Sequence, residues 1–371
     1  VQGWSLISTY IDPFEPLVDS VFAPVVGQLV ILKDGMGNPY WPQFGLNSIG
    51  SLIIGQAYQA RMLITQILSV EGTAVQPENE ILAIPQGWSM MGYLRNSPAD
   101  IVTLLSPIVS NIIIIKDGEG NPYWPQWGIN VIGNMAPGKG YQINLSASAN
   151  YTYPANSATI ASSKYQQVEN SHFIKPIPTE HNMTVCIPLS AWETIPVSGA
   201  EIAIFDNNGV LAGTAVFNNT NLAIPVWGND SYSTEKDGLL PGEEFILKTW
   251  DGSEKLIVVE NWVEGDDNYE KDKLAVAGKL FQKEIADVLS FQSYPNPVNT
   301  KLNISFFLNS EKEVQLILFD QIGQKVWEGS QMFSAGKNEK SIDVSKFGQG
   351  TYFLSLNAGN YRQTQVINIV R

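Results

Sequence analysis

Apolar and polar residues alternate along many short stretches of this chain, which is the pattern of half-buried β-strands. Near the C-terminus, one face of two successive stretches is apolar: Leu302, Ile304, Phe306 and Leu308, then Val314, Leu316 and Leu318. Glycine and asparagine residues separate such stretches and are typical of tight turns. The pattern predicts a mainly β protein that ends in a small Ig-like β-sandwich over residues 285–371.

The same alternation predicts a second β-sandwich over residues 172–284. Its predicted strands are Met183–Leu189, Glu201–Asp206, Val210–Phe217, Leu222–Trp227, Glu244–Trp250 and Lys255–Asn261. Residues 151–171 precede it, are rich in Ala, Ser, Asn and Tyr, and show no periodicity. They are predicted to form a linker.

The first part of the chain contains an internal duplication. The sequence KDGMGNPYWPQFGLNSIG at Lys33–Gly50 recurs as KDGEGNPYWPQWGINVIG at Lys116–Gly133. The distance along the chain from the start of the first copy, Lys33, to the start of the second, Lys116, is longer than the period of most short solenoid repeats. It therefore predicts two tandem α+β modules, module 1 over residues 1–83 and module 2 over residues 84–150.

Each module is predicted to run from a strand through a short helix into several further strands. Asp12, Pro13 and Glu15 have the spacing of a helix start, with Asp12 as the N-cap, and Ser97 begins the second helix in the same way. The predicted buried helix faces are Phe14, Leu17, Val18, Val21 and Phe22 in module 1, and Ile101, Leu104, Leu105 and Ile108 in module 2.

Aromatic residues cluster at the same place in both modules and are the candidate ligand-binding residues. They are Tyr40, Trp41 and Phe44 in module 1, and Tyr123, Trp124 and Trp127 in module 2. Such a strip can stack on sugar rings, or it can fill the core of a small module. Repetition favours neither interpretation, because both copies would need the same core.

Acidic residues in predicted turns of the middle domain are the candidate metal ligands. They are Asp206, Asp230, Asp237, Glu243, Asp266 and Asp267. Carboxylates that converge at one end of a sandwich can bind Ca²⁺, whereas surface acids of an acidic protein are commonly just solvated. The repeated turns at Asp34–Asn38 and Asp117–Asn121 also suit either calcium or a plain hairpin, and the lack of a distal glutamate favours the hairpin. No other cofactor is expected.

Charge is unevenly distributed over a chain with a net charge of −14. Residues 151–284 carry 9 basic and 19 acidic side chains, whereas residues 285–371 carry 8 and 7. The acidic middle would repel phosphate groups, so no nucleic-acid partner is expected. The single cysteine, Cys186, precludes an intrachain disulfide. No apolar stretch has the length of a transmembrane segment, and the start at Val1 predicts a removed leader or a longer upstream polypeptide.

An enzymatic function is not expected. No nucleophile elbow, zinc-binding helix motif or phosphate loop is present. His181 and Cys186 would be the one candidate pair for nucleophilic catalysis, but Cys186 lies in an apolar predicted strand, where a buried thiol is usually inert.

The C-terminal segment resembles the sorting domain of type IX secretion cargo of Bacteroidota. The resemblance rests on the opening YPNP, the hairpin LFDQIGQKVWEG and the ending GQGTYFLSL. The residues that match its motifs are Tyr294, Pro295, Asn296, Pro297, Gly323, Gly350, Thr351 and Tyr352. The resemblance implies export to the extracellular space or the outer cell surface. It also implies contact with the translocon, an outer-membrane shuttle and a sortase that removes the domain, so that a chain retaining it would be a precursor.

The duplicated modules resemble Gly-Trp surface modules of secreted Bacteroidota proteins, which close with Pro-Gly-x-Gly-Tyr. Module 2 keeps that closure, whereas Ala57 replaces the second glycine in module 1. The segment from Asp19 to Val21 is similar to an O-glycosylation site on Ser20, although an ordinary helix residue is the alternative. The expected function is adhesion or a structural role at the cell surface. The alternative is a carbohydrate-binding accessory protein of a polysaccharide-degrading system.

Overall fold

The computed structural model describes residues 1–155, 170–285, 288–359 and 361–371, and it is mainly β, as predicted. The chain forms two compact units, residues 1–283 and 284–371. The first unit contains both modules and a large middle sheet, and the second is the C-terminal domain.

Module 1 is a five-stranded antiparallel sheet with a short helix packed on it. Its elements are β1 (Gly3–Ile7), β2 (Ile11–Pro13), α1 (Val18–Phe22), β3 (Leu29–Lys33), β4 (Pro39–Trp41), β5 (Leu46–Asn47), β6 (Tyr58–Met62), β7 (Gly72–Ala74) and β8 (Leu82–Ile84). The sheet order is β1-β6-β3-β4-β5, and β2 pairs with β7. Short 3₁₀ turns follow α1 at Ala23–Gln28 and β4 at Pro42–Phe44.

Module 2 repeats this topology. Its elements are β9 (Gly87–Gly92), β10 (Ala99–Asp100), α2 (Ile101–Leu105), β11 (Ile112–Lys116), β12 (Pro122–Trp124), β13 (Ile129–Asn130), β14 (Asn134–Met135), β15 (Gly140–Leu145) and β16 (Ala149–Tyr151). The sheet order is β9-β15-β11-β12-β13, which is the order of module 1. The sequence duplication is therefore a duplication of structure.

Both helices begin later than the sequence predicted. Residues Ile11–Pro13 form a strand, and α1 starts at Val18 after Leu17, which has no capping side chain. Phe14 and Leu17, predicted to be buried, are exposed. In module 2 the N-cap is Asp100, whose carboxylate accepts the Thr103 N–H. The apolar faces from Val18 and from Ile101 onward are buried as predicted, because packing against the sheet fixes these short helices more strongly than the upstream Asp-Pro signals.

The two modules contact each other around a pair of small residues. Ile7 forms an isolated antiparallel bridge with Lys139. Beside this bridge, a Cβ atom on Gly140 would lie 2.5 Å from the Cβ of Ala57, closer than two carbon atoms can pack. Because Ala57 carries a methyl group, position 140 has to be glycine, so the two equivalent positions cannot both be alanine.

The middle of the chain forms one seven-stranded sheet, here called the barrel. Its strands are β17 (Asn182–Ile187), β18 (Glu201–Asp206), β19 (Leu211–Val216), β20 (Leu222–Trp227), β21 (Phe245–Trp250), β22 (Glu254–Glu264) and β23 (Leu274–Glu284). The order is β19-β18-β21-β22-β23-β17-β20, with β17 and β23 parallel. The two end strands, β19 and β20, lie against each other, so the sheet curls around a single apolar core.

Part of the predicted linker belongs to the core of module 2. Tyr151 and Tyr153 are buried there, and the Tyr153 hydroxyl donates to the Gly92 carbonyl oxygen. Residues 156–169 of that linker lie outside the described residues. The domain boundaries inside the first unit stay predictions.

The C-terminal unit is a β-sandwich of two sheets. Its strands are β24 (Val288–Tyr294), β25 (Lys301–Leu308), β26 (Lys312–Phe319), β27 (Lys325–Phe333), β28 (Gly336–Asp343), β29 (Gly350–Ala358) and β30 (Tyr361–Ile369). One sheet has the order β24-β25-β28 and the other β27-β26-β29-β30. The predicted apolar face of β25 and β26 forms its core.

Candidate binding face and sorting-domain motifs

Both modules dock on the barrel through an equivalent lysine and tryptophan. In module 2, Lys116 is fully buried, and its Nζ lies 3.0 Å from Oδ1 of Asn182, 3.2 Å from Oδ1 of Asp272 and 4.4 Å from the centre of the Trp88 ring. Burial lowers the pKa of Lys116, and the charge of Asp272 only partly offsets that effect. This ion pair and cation–π contact fix module 2 on the barrel.

In module 1 the equivalent lysine, Lys33, is partly exposed and lies 2.5 Å from Oε1 of Glu180. Burial alone would raise the pKa of Glu180, but hydrogen bonds from His181 and Lys33 outweigh it and hold this pKa at about 2. Nearby, the Trp4 indole donates to Oδ2 of Asp230 at 3.0 Å. The two docking sites are thus equivalent in sequence but differ in how deeply they are buried.

The candidate aromatic residues of module 2 are covered by the barrel. Trp124 is 1% exposed and packs with Cys186, Ala223 and Val276, which lie on β17, β20 and β23. Tyr123 is buried in the module's own core, and Trp127 is partly buried at the edge of the same contact. In module 2 these aromatic residues are therefore structural.

The equivalent residues of module 1 are less buried than those of module 2. Trp41, Phe44 and Leu46 correspond to Trp124, Trp127 and Ile129, and we call these three residues the open face. Phe44 is 66% exposed and Leu46 is 43% exposed, whereas Ile129 is 3% exposed. Trp41 is partly buried, with its ring centre 4.7 Å from that of Phe44.

Tyr40 completes the module 1 set of candidate residues and is buried in the module core. The open face borders the barrel at Tyr232, whose ring centre lies 6.2 Å from that of Trp41. The guanidinium of Arg61 lies over the Tyr232 ring, 4.9 Å from its centre. Arg61 also bonds Asp230 at 3.4 Å. The open face therefore borders the barrel at Tyr232, and its exposed side chains are Phe44 and Leu46.

Glycines in the two repeated turns show the same contrast. A Cβ atom on Gly120 would lie 2.6 Å from Cβ of Pro225 on the barrel. A Cβ atom on the equivalent Gly37 would meet nothing within 4 Å among the described residues. The barrel thus reaches the turn of module 2 and leaves that of module 1 uncovered.

The acidic candidates of the barrel are bound by other protein groups. Asp206 is fully buried and lies 2.5 Å from the ammonium of Lys236, which also contacts Glu243. Asp237 accepts the backbone N–H of Asp230, and Asp266 pairs with Lys273 at 2.6 Å.

Asp267 accepts a long bond, 3.5 Å, from the neighbouring Asn268 amide. Within residues 1–155, 170–285, 288–359 and 361–371, the structure brings together no group of three or more His, Cys, Asp or Glu side chains that could hold a metal ion. The calcium site stays a prediction without a geometric basis.

The repeated Asp-Gly turns are hairpins closed by their own aspartate. Oδ1 of Asp34 accepts the N–H groups of Met36 and Asn38, and Asp117 does the same for Glu119 and Asn121. The carboxylate oxygen that a cation would need already satisfies backbone donors. The plain-turn interpretation therefore agrees with the structure.

The remaining sequence candidates lie apart from the open face. Cys186 is fully buried on β17, and burial together with the charge of Glu264 raises its pKa to about 12. The ring of His181 contacts Glu180. Ser20 is an exposed residue of α1, and its glycosylation stays a prediction.

A buried carboxylate on β18 binds the segment that begins at residue 170. Glu201 accepts the backbone N–H groups of Ser171, His172 and Phe173 and the side chain of Asn170. Burial alone would raise the pKa of Glu201, but these hydrogen bonds outweigh it and hold the pKa at about 2. Sequence reasoning missed this residue, because its donors are backbone groups some thirty positions away.

We expect Glu201→Gln to lower the free energy of unfolding at pH 7 by about 2 kcal/mol, since hydrogen bonds to a charged group are lost. The folded-state pKa of Glu201 lies below its usual 4.5, so its contribution is present above that pH and is lost as the pH falls towards about 2. Urea unfolding of both proteins should therefore show a difference that shrinks between pH 5 and pH 2.5. Glu260→Gln, at an exposed pair with Lys279, is the control; a gap that persists at pH 2.5 would contradict the assignment.

The motif residues of the C-terminal unit converge at one end of its sandwich. Asn296 lies between two cis peptide bonds, Tyr294–Pro295 and Asn296–Pro297. Its side chain accepts the N–H of Asn368 at 2.8 Å and donates to the Val366 carbonyl oxygen at 2.7 Å. This places the YPNP segment against the last strand, β30.

The other motifs reach the same end. Gly350 pairs with Ile369, and Thr351 pairs with Asn368. The turn that contains Gly323 follows β26, whose last residue, Phe319, pairs with Phe353. The side chain of Tyr352 packs inward, and its hydroxyl donates to the Gly348 carbonyl oxygen.

Arg371 closes this end. Its guanidinium donates to the carbonyl oxygens of Asn299 and Ser345, at 2.8 and 2.9 Å, and to that of Phe347. The chain enters the sandwich at the opposite end, where Val288 pairs with Leu308. The motif-bearing end is thus the end remote from the incoming chain.

Residues 292–370 match the family of the secretion system C-terminal sorting domain. No curated protein matches the chain. Among solved structures, the chain is similar to a DUF3823 family protein from Parabacteroides merdae, with 13% identity over 53% of this chain and 100% of that one and a TM-score of 0.18. A candidate carbohydrate-binding protein from Bacteroides uniformis shares 15% identity over 50% of this chain and 98% of that one, with a TM-score of 0.19.

Dimeric latent PorU from Porphyromonas gingivalis is a third similar structure. It shares 12% identity over 78% of this chain and 29% of that one, with a TM-score of 0.21. At these TM-scores none of the three informs the function of this chain. Among the described residues, none of the helices has the length and apolar character that a membrane crossing requires. The match of residues 292–370 to this sorting domain supports the identification of the chain as a type IX secretion cargo protein. It indicates export to the cell surface or the extracellular space.

Proposed function

We propose that this exported chain is an adhesive or structural surface protein and that the open face of module 1 is its contact surface. The single observation that supports this is the asymmetry between the two copies. The same aromatic motif is covered by the barrel in module 2 and exposes Phe44 and Leu46 in module 1. Exposed, contiguous apolar side chains mark interaction sites on soluble proteins. The open face therefore offers binding area that the fold does not use.

Cells that produce the chain provide the test. We expect that deleting the gene reduces cell–cell aggregation severalfold and that the wild-type gene restores it. A gene carrying Phe44→Ser and Leu46→Ser should not restore it, since the apolar contact is lost. Phe14→Ser is the matched control, because Phe14 is 73% exposed but lies outside the open face. Aggregation that is unchanged without the chain would refute the adhesive role.

Carbohydrate recognition is the second candidate function. It is favoured by the edge-to-face arrangement of Trp41 and Phe44, at an interplanar angle of 84°, with Tyr232 beside them. Aromatic rings can stack on the apolar faces of sugar rings. Saturable binding on a glycan array, lost in Trp41→Ala but kept in Phe14→Ala, would replace the adhesive proposal with this one.

The export components implied by the sorting domain, namely the translocon, the outer-membrane shuttle and the sortase, stay proposed partners. The motif-bearing end of the C-terminal unit is the surface that we propose for them, because it gathers the motifs and lies away from the incoming chain. Catalysis forms no part of the proposal, because the thiol of Cys186 is buried and has a raised pKa. Labelling of a cysteine variant on intact cells with a membrane-impermeant maleimide reports whether export has occurred.

A further inference from the structure

Module 2 shows which kind of protein surface packs on the residues that are equivalent to the open face. The barrel surface that covers module 2 consists of small side chains on adjacent strands, namely Cys186, Ala223 and Val276. Small side chains form a flat surface, which lets the large ring of Trp124 lie close to the backbone of the sheet. The equivalent residue, Trp41, lies in an equivalent strand, because β4 and β12 occupy the same place in the two sheets.

Two further contacts define the rim of that surface. The side-chain amide of Asn221 donates to the carbonyl oxygen of Trp127 at 2.7 Å. Pro225 fills the space next to Gly120, where a Cβ atom would lie within 2.6 Å. The covering surface thus combines a flat apolar centre with one amide donor and one close apolar contact at its edge.

We propose that the open face docks a surface of the same chemistry on another protein: a β-sheet face of small apolar side chains with an Asn or Gln amide at its rim. This inference rests on the proposed surface role and names the class of partner. The geometry of module 2 supplies the match, with Trp41 in the place of Trp124, Leu46 in that of Ile129, and the Phe44 carbonyl oxygen as the acceptor.

A different protein is inferred rather than a second copy of this chain. In each copy, the barrel face around Cys186 and Ala223 is already covered by that copy's own module 2. Within the described part of the chain, this face of a second copy is therefore not available for docking. The aliphatic side chain of Leu46, 43% exposed beside Phe44, also suits a packed protein surface better than a sugar.

Cysteine labelling on intact cells can test this docking. The chain has one cysteine, and it is fully buried with a raised pKa, so the wild-type chain should not react with a maleimide. The test uses Leu46→Cys on the open face and Phe14→Cys outside it. Ile129→Cys, the module 2 equivalent of Leu46→Cys, is the covered reference. In purified protein we expect the first two to label at similar rates and Ile129→Cys to label at least tenfold more slowly.

With a membrane-impermeant maleimide on intact cells, we expect Leu46→Cys to label at least tenfold more slowly than Phe14→Cys. Adding Phe44→Ser to Leu46→Cys should restore fast labelling, because the docked surface is released. Equal labelling of Leu46→Cys and Phe14→Cys on cells would overturn the proposed docking while leaving surface display intact. An unlabelled Phe14→Cys chain would show that the chain is not displayed and would overturn the surface role as well.

A maleimide–benzophenone cross-linker on Leu46→Cys identifies the class of the covering molecule. A protease-sensitive adduct with a different protein, absent when Phe44→Ser is added, is the expected product. An adduct at twice the mass of the uncross-linked chain from the same cells would show a second copy instead. An adduct that resists proteases but is cleaved by periodate would show a glycan. Either of these two products would overturn the inference.

Discussion

Trp124→Ala should lower the free energy of unfolding of the first unit by about 4 kcal/mol, the usual cost of emptying a large buried aromatic site. The side chain is 1% exposed and packs with Ile114, Ile129 and three barrel residues, so its loss leaves a cavity between module 2 and the barrel. Urea unfolding followed by tryptophan fluorescence measures this change. Nine of the ten tryptophans lie before residue 284, so the signal reports on the first unit.

Trp41→Ala is the matched control for this prediction. The two tryptophans occupy equivalent positions in identical Tyr-Trp-Pro triplets, but Trp41 is partly exposed and its neighbour Phe44 is largely exposed. We expect Trp41→Ala to cost about 1 kcal/mol, since little buried apolar area is lost. Equal losses in the two variants would mean that both copies are packed alike and that the open face is covered in solution.

Much of the strand content could be read from local alternation. The predicted strands Glu201–Asp206 and Leu222–Trp227 have the bounds of β18 and β20. The shared topology of the modules also followed from the repeat. Local patterns suffice where one face of a strand meets a core, since burial then fixes the residue type at every second position.

Other elements could not be predicted because distant contacts decide them. The sequence analysis does not predict strand β23 (Leu274–Glu284), because its alanine and glycine residues weaken the alternation of apolar and polar side chains. Its position in the sheet is fixed by pairing with β17. The start of α1 was misplaced, because Asp12 lies in a strand that pairs with β7 rather than at a helix cap. These pairings join residues that are far apart in sequence.

The candidate sites depended even more on tertiary context. Identical triplets contain Trp41 and Trp124, yet the barrel buries Trp124 and leaves Trp41 partly exposed. Asp230 looked like a metal ligand in a turn, yet it accepts the indole N–H of Trp4 and contacts Arg61. A sequence shows which side chains could bind a ligand, whereas the fold shows which of them are already bound by the protein.

Lys116→Met should lower the free energy of unfolding of the first unit by about 3 kcal/mol, because it leaves the buried Asn182 and the carboxylate of Asp272, which is 18% exposed, without the donor that they share. The ammonium of Lys116 is the shared partner of Asp272 and Asn182, and methionine has a similar length but no donor. The loss should be measured by urea unfolding with tryptophan fluorescence, as for Trp124→Ala. Since Lys116 and Trp124 both fix module 2 on the barrel, the double variant should cost less than the sum of the single variants.

Lys33→Met separates the effect of burial from that of losing a lysine at this place in the repeat. Lys33 also pairs with a carboxylate, but its side chain is 22% exposed, and Glu180 keeps its contact with His181. A partly solvated ion pair contributes about 1 kcal/mol or less, so Lys33→Met should have a small effect that shrinks further in 1 M salt. Comparable losses at the two lysines would contradict the view that module 2 is the buried anchor of the first unit and module 1 its open partner.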